Sequence, residues 1–345
     1  MKIGIAILGA GRWGIHLIRN FLEHPQSQIL AVVDPHPERL AAVQKQFNFD
    51  ANIVLATDWS AVEKLPGLVA VAIATPASTH NTLITAALQQ SYHVFAEKPL
   101  TLNLEDAIAL CQLAEQQKCQ LFVDHTYLFH PAIEAGKNAI QQGKLGNLRY
   151  GYAQRTHLEP VRNDVDALWD LAIHDIAIFN TWLGKTPIQV SASGTVLINQ
   201  KNRNIEKNIN YELPLDDLVW IKLTYPDGFQ AFIHLCWINP DKQRRLAVVG
   251  SQGTLIFDDL LIDTPLIVKY GYSESDRHSN LRQSSEILTV EPVEPLQQVC
   301  DRFLHSIQSN TPSPISSGWI GVEFVRILSA LSESLKLGGK TITIC

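Results

Sequence analysis

An apolar strand running straight into a glycine-rich turn constrains this chain more than any other feature. The opening IGIAILGAGRWG sets Gly9, Gly11 and Gly14 in the spacing G-x-G-x-x-G, and an acidic residue, Asp34, stands 20 positions after the last glycine. The first glycine permits the tight turn, the second lets the backbone approach a pyrophosphate, and the third lets the following helix pack close to its strand. The spacing predicts a helix over 14–23, with the amphipathic run Ile15, Leu17, Ile18, Phe21 and Leu22. Its amino end and free N–H groups would face the diphosphate. A second strand, Ile29 to Val33, then delivers Asp34, where a carboxylate could bind both hydroxyls of the adenosine ribose. Together these features predict a dinucleotide site. A carboxylate at Asp34 repels the extra phosphate of NADP and favours NAD; His36 and Arg39 lie near enough to weaken that preference, so NADP stays open. Arg12 and Trp13 sit inside the turn, and Trp13 either lines the pyrophosphate or plugs a helix end.

A chain of 345 residues has length for about two domains. Its net charge of −6 and scattered basic residues give no electrostatic footprint for nucleic acid or an anionic membrane. No stretch approaches the roughly 20 apolar residues of a membrane span, and the glycines and Arg12 interrupt the opening apolar run too early for a secretion signal. The five cysteines are odd in number and unclustered, which fits free thiols in a reducing compartment. No His/Cys spacing suggests a metal. The expectation is a cytoplasmic protein with a small-molecule substrate and no resident metal.

The first third alternates strands (near 3–8, 29–33, 68–74, 93–96 and 120–123) with helices (near 14–23, 37–47, 78–90, 104–117 and 131–142). Such alternation implies a doubly wound parallel sheet of the Rossmann type, covered by helices on both faces. From about residue 147 the pattern changes to five or six strands joined by hairpin signals such as Tyr225-Pro-Asp-Gly228, followed by helices near 294–309 and 319–337. A polar, Asn-rich stretch over 199–214 reads as an irregular excursion. The fold class is therefore α/β, with domains over 1–123 and 124–345, the second an α+β unit built on a large, mostly antiparallel open sheet.

Ligands of doubly wound sheets bind at the carboxyl ends of the strands. Thr75-Pro76, with His80 a turn beyond, follows the apolar run 68–74; Glu97-Lys98-Pro99 ends the next strand; His125 and Tyr127 follow the one after. Lys98 places a cation at the mouth of the cofactor cleft, where its ammonium could bind a substrate oxygen; the bland alternative is a solvated lysine at a strand end. Pro99 fixes the turn, with a cis bond as one option. A second cluster lies in the helical stretch 167–179. Asp170 and His174 are four apart and share a helix face, so the carboxylate can orient the imidazole. Asp166 extends that stripe, whereas Asp175 points elsewhere. Arg155, His157 and Arg162 occur where the second sheet begins, and either bind an anionic or hydroxylated substrate or are surface charge.

With these residues assembled, the chain resembles the glucose–fructose oxidoreductase / inositol dehydrogenase / MocA (Gfo/Idh/MocA) family over nearly its full length. GAGRWG, TPASTH at 75–80, EKP at 97–99, WDLAIHD at 169–175, VVGSQGTLIFDD at 248–259 and the C-terminal SGWIGVEFVRILSALSESL carry the likeness. The resemblance implies a catalytic Lys, Asp and His at Lys98, Asp170 and His174. It also implies dimer or tetramer contacts through the C-terminal sheet. Many members have Gly and Asp where this chain has Ala172 and Ala177, and WDLAIHD is closer to a branch with WDLAPHD that often acts on nucleotide-linked sugars, with Ile173 in place of the proline. The expected activity is hydride transfer between nicotinamide and a secondary alcohol or ketone of a sugar, nucleotide sugar or cyclitol. The rivals are a non-catalytic sensor of NAD(H) or sugar, and a reductase of a non-sugar substrate.

Overall fold

The computed structural model describes residues 2–158, 160–198, 215–271 and 284–344; the Asn-rich stretch over 199–214 lies outside them. The first compact unit comprises Met1–Thr126 and Glu294–Val325, the second Tyr127–Val293 and Arg326–Cys345.

In the first unit, β1 (Ile3–Leu8), α1 (Arg12–Glu23), β2 (Ser27–Val33), α2 (Pro37–Phe47), β3 (Val54–Ala56), β4 (Leu68–Ile73), α3 (His80–Gln89), β5 (His93–Ala96), α4 (Leu104–Gln116) and β6 (Leu121–Val123) follow in order. Six strands pair in parallel as β3-β2-β1-β4-β5-β6. Every residue of β1 is buried, as a strand covered on both faces requires. The order reverses between β1 and β4, which defines the crevice where such sheets bind ligands. β3 is not expected from the sequence: three residues paired to the end of β2 carry too little pattern to stand out.

The second unit holds α5 (Pro131–Gln141), β7 (Leu148–Leu158), α6 (Ala167–Leu183), β8 (Gln189–Thr195), β9 (Leu218–Thr224), β10 (Gln230–Cys236), β11 (Ile238–Gly250), β12 (Gly253–Asp258), β13 (Leu266–Tyr270) and β14 (Ser284–Ile287). After these come α7 (Pro295–Ser309), α8 (Gly318–Lys336), whose end lies in the second unit, and β15 (Ile342–Thr343), also of the second unit. Nine strands pair in the order β14-β13-β12-β11-β7-β10-β9-β8-β15, all antiparallel except β7 with β10. The sheet exceeds the expected five or six strands by β13, Leu-Ile-Val-Lys-Tyr, and by two short or polar margins: β14 reads Ser-Ser-Glu-Ile and β15 has two residues. On β9 and β10, buried Val219, Ile221, Leu223, Ala231, Ile233 and Leu235 alternate with outward positions. α6 packs on the buried face, against β7, β9 and β10.

The chain returns to the first unit at Glu294, a return that the reading of 124–345 as one stretch does not contain. α7 lays Phe303 edge-on against Phe21, Phe95 and Phe122, with ring centroids 6.4, 5.5 and 5.7 Å away. An amphipathic helix advertises that it covers a sheet; its sequence does not say which sheet.

Candidate active site

The glycine turn divides its labour as the spacing implies. Gly9 has φ +100°, and a Cβ there would meet the carbonyl oxygen of Ala74 at 2.6 Å. A Cβ on Gly14 would sit 1.9 Å from the Gly9 carbonyl oxygen, so α1 could not pack so tightly with any larger residue. A Cβ on Gly11 would meet nothing within 4 Å. The chain itself therefore requires Gly9 and Gly14, while Gly11 leaves a bare backbone facing open space. α1 starts at Arg12, two residues earlier than expected, with no side chain capping its first turn and no acidic residue in it. Free N–H groups and an uncompensated dipole face an anion there. Arg12 and Trp13 are exposed beside them. These residues fit a dinucleotide diphosphate.

Asp34 ends β2 with its carboxylate almost wholly buried. It accepts from the Ala10 N–H at 2.8 Å and the His36 N–H at 2.9 Å, and Arg39 approaches at 3.6 Å from a half-exposed position. The acid thus fastens the glycine turn to the end of β2.

At the ends of β4, β5 and β6 the expected residues form one corner. His80 is buried and spans two turns, its Nδ1 2.8 Å from the Pro99 carbonyl and its Nε2 3.1 Å from the Thr75 carbonyl. Thr75 meets the Thr79 hydroxyl at 2.7 Å, and Pro76 is exposed at the rim. Lys98 is half-buried, and its peptide bond to Pro99 is cis. Its ammonium acts on both Asp124 and His125. Burial pushes the Asp124 carboxyl up to about 6, against the pull of the Thr126 hydroxyl and of Lys98. Burial, reinforced by Lys98, pushes the His125 imidazole down to about 3, so that ring is neutral. It packs on Phe324 at 4.6 Å, and its Nε2 has no hydrogen-bond partner among the described residues. Glu97 is buried.

In the second unit, Asp166 caps α6 by accepting from the Trp169 N–H at 2.9 Å. Between 167 and 178 the helix is buried except at Trp169, Asp170 and His174, so the acid and the imidazole share the face left open. Asp170 accepts from Arg162 Nη1 at 3.0 Å, while Asp164 grips the same guanidinium at 2.8 and 2.6 Å. Arg162 therefore meets the site through Asp170. The His174 ring lies 5.0 Å from that of Tyr127. The Tyr127 hydroxyl donates to Asp259 at 2.8 Å and accepts from Arg155 at 3.0 Å.

Arg155, expected to reach substrate, is buried and bidentate on Asp175 at 3.1 and 2.8 Å. Burial opposes its charge, but Asp175 and Tyr127 outweigh that and push its pKa higher still. Its guanidinium is spent on holding β7, α6 and Tyr127 together. Asp175 points away from the Asp170/His174 stripe, as its helix position implies, and meets Arg155. Asp124 was missed; a register argument finds it, because Ala96 pairs with Val123 and the next residue on each strand is an acid. Among the described residues, no three His, Cys, Asp or Glu side chains are arranged to hold a metal, and no helix is long and apolar enough to cross a membrane.

A family profile described as oxidoreductase family, NAD-binding Rossmann fold, matches residues 3–125. A second, described as the GFO/IDH/MocA C-terminal domain, matches residues 133–256. The first unit is thus the NAD-binding Rossmann domain of an oxidoreductase. The two matches together cover most of the chain, and the protein belongs to the Gfo/Idh/MocA family. It is 33% identical over 177 residues to UDP-N-acetylglucosamine 3-dehydrogenase of Acidithiobacillus ferrooxidans, an alignment that covers 51% of this chain and about half, 53%, of that enzyme. It is 29% identical over 269 residues, 75% of each protein, to scyllo-inositol 2-dehydrogenase (NAD(+)) of Bacillus subtilis. An inositol dehydrogenase homolog of Azotobacter vinelandii, solved with NADH and myo-inositol, shares the fold with a TM-score of 0.79 over 99% of this chain and 98% of that one, at 22% identity.

Proposed function

We propose that the protein is an NAD-dependent dehydrogenase that oxidises a secondary alcohol of a sugar, nucleotide sugar or cyclitol, or reduces the corresponding ketone. The observation that carries the reading is a division of equipment. The NAD-binding unit ends β5 in Lys98, and the second unit leaves Asp170 and His174 on the open face of an otherwise buried helix. The names of the relatives, which act on a nucleotide sugar and on an inositol, supply the substrate class.

NAD, when bound, supplies the hydride acceptor. Gly9, Gly11, Arg12, Trp13 and Gly14 would hold its diphosphate, Asp34 and Arg39 the adenosine ribose, and the corner formed by Thr75, Pro76, His80 and Glu97 its other end. His174 takes the hydroxyl proton at a ring nitrogen. Lys98 steadies the negative charge that develops on the oxygen. Asp170 orients the imidazole, and Arg162 in turn holds Asp170. Tyr127, seated by Arg155 and Asp259, borders His174 and offers its ring to the substrate. His125 is neutral. In ketone reduction the proton path runs backwards.

The outward face of β9 and β10 supports a homodimer or homotetramer. Trp220 is 53% and Phe232 42% exposed, and Trp220 stacks on His234 at 4.2 Å. Aromatic side chains so placed favour a covered face; a single monomeric species in light scattering would remove this assignment. Cys111, Cys119, Cys236 and Cys300 are free thiols, which supports residence in the cytoplasm.

The test is turnover by Lys98→Ala and His174→Ala across a panel of inositols and UDP-sugars. Each should lose at least about 100-fold in kcat, the low end of acid–base contributions, while NAD binding stays near that of the parent. Near-normal rates in both variants refute the assignment. Tight NAD binding without oxidation of any panel member by the parent would make the protein a sensor.

A further inference from the structure

We propose that Arg244 is an anion subsite of the second unit and takes the diphosphate of a nucleotide-linked sugar, whose base rests on the apolar hairpin tip at 260–262. The inference rests on the reading of His174 as the group that meets the reacting hydroxyl. It chooses one substrate class among the three that the reading allows.

Three arginines of the second unit lie around Tyr127 and Asp170, and each offers five N–H donors in a planar fork. The Nε/Nη2 edge of the fork grips a carboxylate or a phosphate with two parallel bonds. Arg155 lays that edge on Asp175 at 3.1 and 2.8 Å and gives Nη1 to the Tyr127 hydroxyl at 3.0 Å. Arg162 lays it on Asp164 at 2.8 and 2.6 Å and gives Nη1 to Asp170 at 3.0 Å. Arg244 differs. Its Nη1 donates to Asp259 at 3.1 Å, and its Nε/Nη2 edge meets no acceptor among the described residues. The side chain is 38% exposed, so an anion can reach that edge.

Asp259 fixes where the guanidinium lies. One oxygen, Oδ2, accepts from Arg244 at 3.1 Å and from the Tyr127 hydroxyl at 2.8 Å, and the Tyr127 ring stands 5.0 Å from that of His174. The backbones are fastened too. The Asp259 N–H donates to the Arg244 carbonyl at 3.0 Å, and Arg244 is the register partner of Arg155 on β7. The cation is thus held one side chain beyond the ring that borders His174, at the place of a substituent on the sugar rather than of the reacting carbon. A guanidinium edge matches two oxygens of one anion. A neutral sugar or cyclitol offers only hydroxyls, whereas a nucleotide sugar offers two phosphoryl groups.

The chain that leaves Asp259 supplies the second observation. Leu260, Leu261 and Ile262 are all exposed, Ile262 to 92%, at the tip between β12 and β13. Their turn is tied down: Asp258 accepts from the Leu260 N–H at 3.2 Å, and its carbonyl accepts from the Leu261 N–H at 3.1 Å. Three consecutive apolar side chains held out in this way mark a contact surface, and they begin one residue after the acid that positions Arg244. A base joined to a diphosphate carries both partners at once: an anion for the fork and an apolar face for the tip.

Calorimetry on the full chain, with the NAD site filled by saturating NADH, tests both halves. The probes are inorganic phosphate and the tightest-binding of UDP, dTDP and GDP. The parent should bind that nucleotide at least about tenfold more tightly than phosphate. Arg244→Met should weaken the nucleotide about tenfold or more, the scale of a lost hydrogen bond to a charged group. Arg244→Lys keeps the charge beside Asp259 without the fork and should fall between. Leu261→Ser with Ile262→Ser should weaken the nucleotide and leave phosphate unchanged. Unchanged nucleotide affinity in Arg244→Met overturns the proposal. So does a parent that binds no nucleotide under NADH, or binds it no better than phosphate, which would mark a site for simple sugar phosphates. Should Arg244→Met fail to fold, unchanged affinity in Arg244→Lys overturns it.

Turnover separates this subsite from the dehydrogenase reading. With a nucleotide sugar, Arg244→Met should raise KM about tenfold or more and hold kcat within a few-fold; a collapse of the Tyr127 seat would lower kcat instead, with inositols as well. Oxidation of nucleotide sugars with KM unmoved by Arg244→Met sinks the subsite alone. Nucleotide binding that depends on Arg244, in a parent that oxidises no sugar, sinks the dehydrogenase reading and leaves the subsite.

Discussion

The acids around α6 and the acids at the ends of the parallel strands are held in different ways. Around α6 the acids meet arginine: Asp175 lies in the fork of Arg155, Asp164 and Asp170 share Arg162, and Asp259 takes Arg244 at 3.1 Å together with the Tyr127 hydroxyl. At the ends of the parallel strands they meet neutral donors first, with Arg39 3.6 Å from Asp34. Asp34 is bound by two backbone N–H groups, and Asp124 by the Thr126 hydroxyl. A carboxylate forked by a guanidinium keeps its charge across the physiological range and fixes geometry. One bound by neutral groups can still change its proton or its partner. The arginine pairs therefore build a rigid seat for Tyr127 and His174, and the acids of the NAD-binding unit stay available to cofactor and to Lys98.

The sharpest way to break this contrast is to remove a guanidinium from the seat. Arg155→Met leaves the Asp175 carboxylate, 1% exposed, without its cation. Breaking a buried pair from one side costs roughly 3–5 kcal/mol, whereas replacing both partners with apolar groups is close to neutral. Arg155→Met should lower the urea midpoint accordingly, and Arg155→Met with Asp175→Leu should recover most of the loss. A single variant that costs less than about 1 kcal/mol, the range of an exposed pair, would mean that water already reaches Asp175 and that the seat is not rigid.

This pair also marks where sequence reading stopped. The glycine turn, Asp34, the parallel sheet, Lys98 and the Asp170/His174 stripe follow from local spacing, because each depends on residues a few positions apart on one strand, turn or helix. Arg155 looked like a substrate ligand because its fate depends on Asp175, which is near only through the packing of α6 on β7. Arg162 looked like one too, and its guanidinium is shared by Asp164 and Asp170. Asp124 was invisible for a related reason: Glu97 becomes its neighbour only through strand register. The return of α7 to the first sheet depends on Phe303 finding Phe21, Phe95 and Phe122, and its amphipathic pattern would have suited either sheet.

A smaller effect tests the other side of the contrast. Asp34→Asn keeps an acceptor for the Ala10 N–H but removes the charge that engages Arg39 and that is proposed to meet the ribose. Loss of a hydrogen bond to a charged group is worth about 1.5–3 kcal/mol, so kcat/KM for NAD should fall about tenfold or more. NADP should lose less, because its phosphate no longer meets a carboxylate and Arg39 is released. The preference ratio from initial rates with each cofactor is the readout. If the ratio is unchanged, Asp34 serves only to tie the turn to β2.

The smallest effect concerns an acid of the second unit that departs from its arginine rule. Asp166 caps α6, and burial first, then the nearby charge of Asp216, pushes its carboxyl up to about 7. A carboxyl raised on folding holds its proton more tightly in the native protein than in the unfolded chain. Its contribution to stability is complete below the ordinary carboxylate range, near pH 4, and is lost as pH rises through about 7. Asparagine caps a helix as well as aspartate does and has no charge to bury. The melting temperature of Asp166→Asn should therefore gain on the parent steadily between pH 4 and pH 7 and run a constant few degrees above it from pH 8. Parallel curves would show that Asp166 is solvated enough to ionise freely. The start of the helix that carries Asp170 and His174 would then be held by the capping hydrogen bond alone, with no titrating charge beneath it.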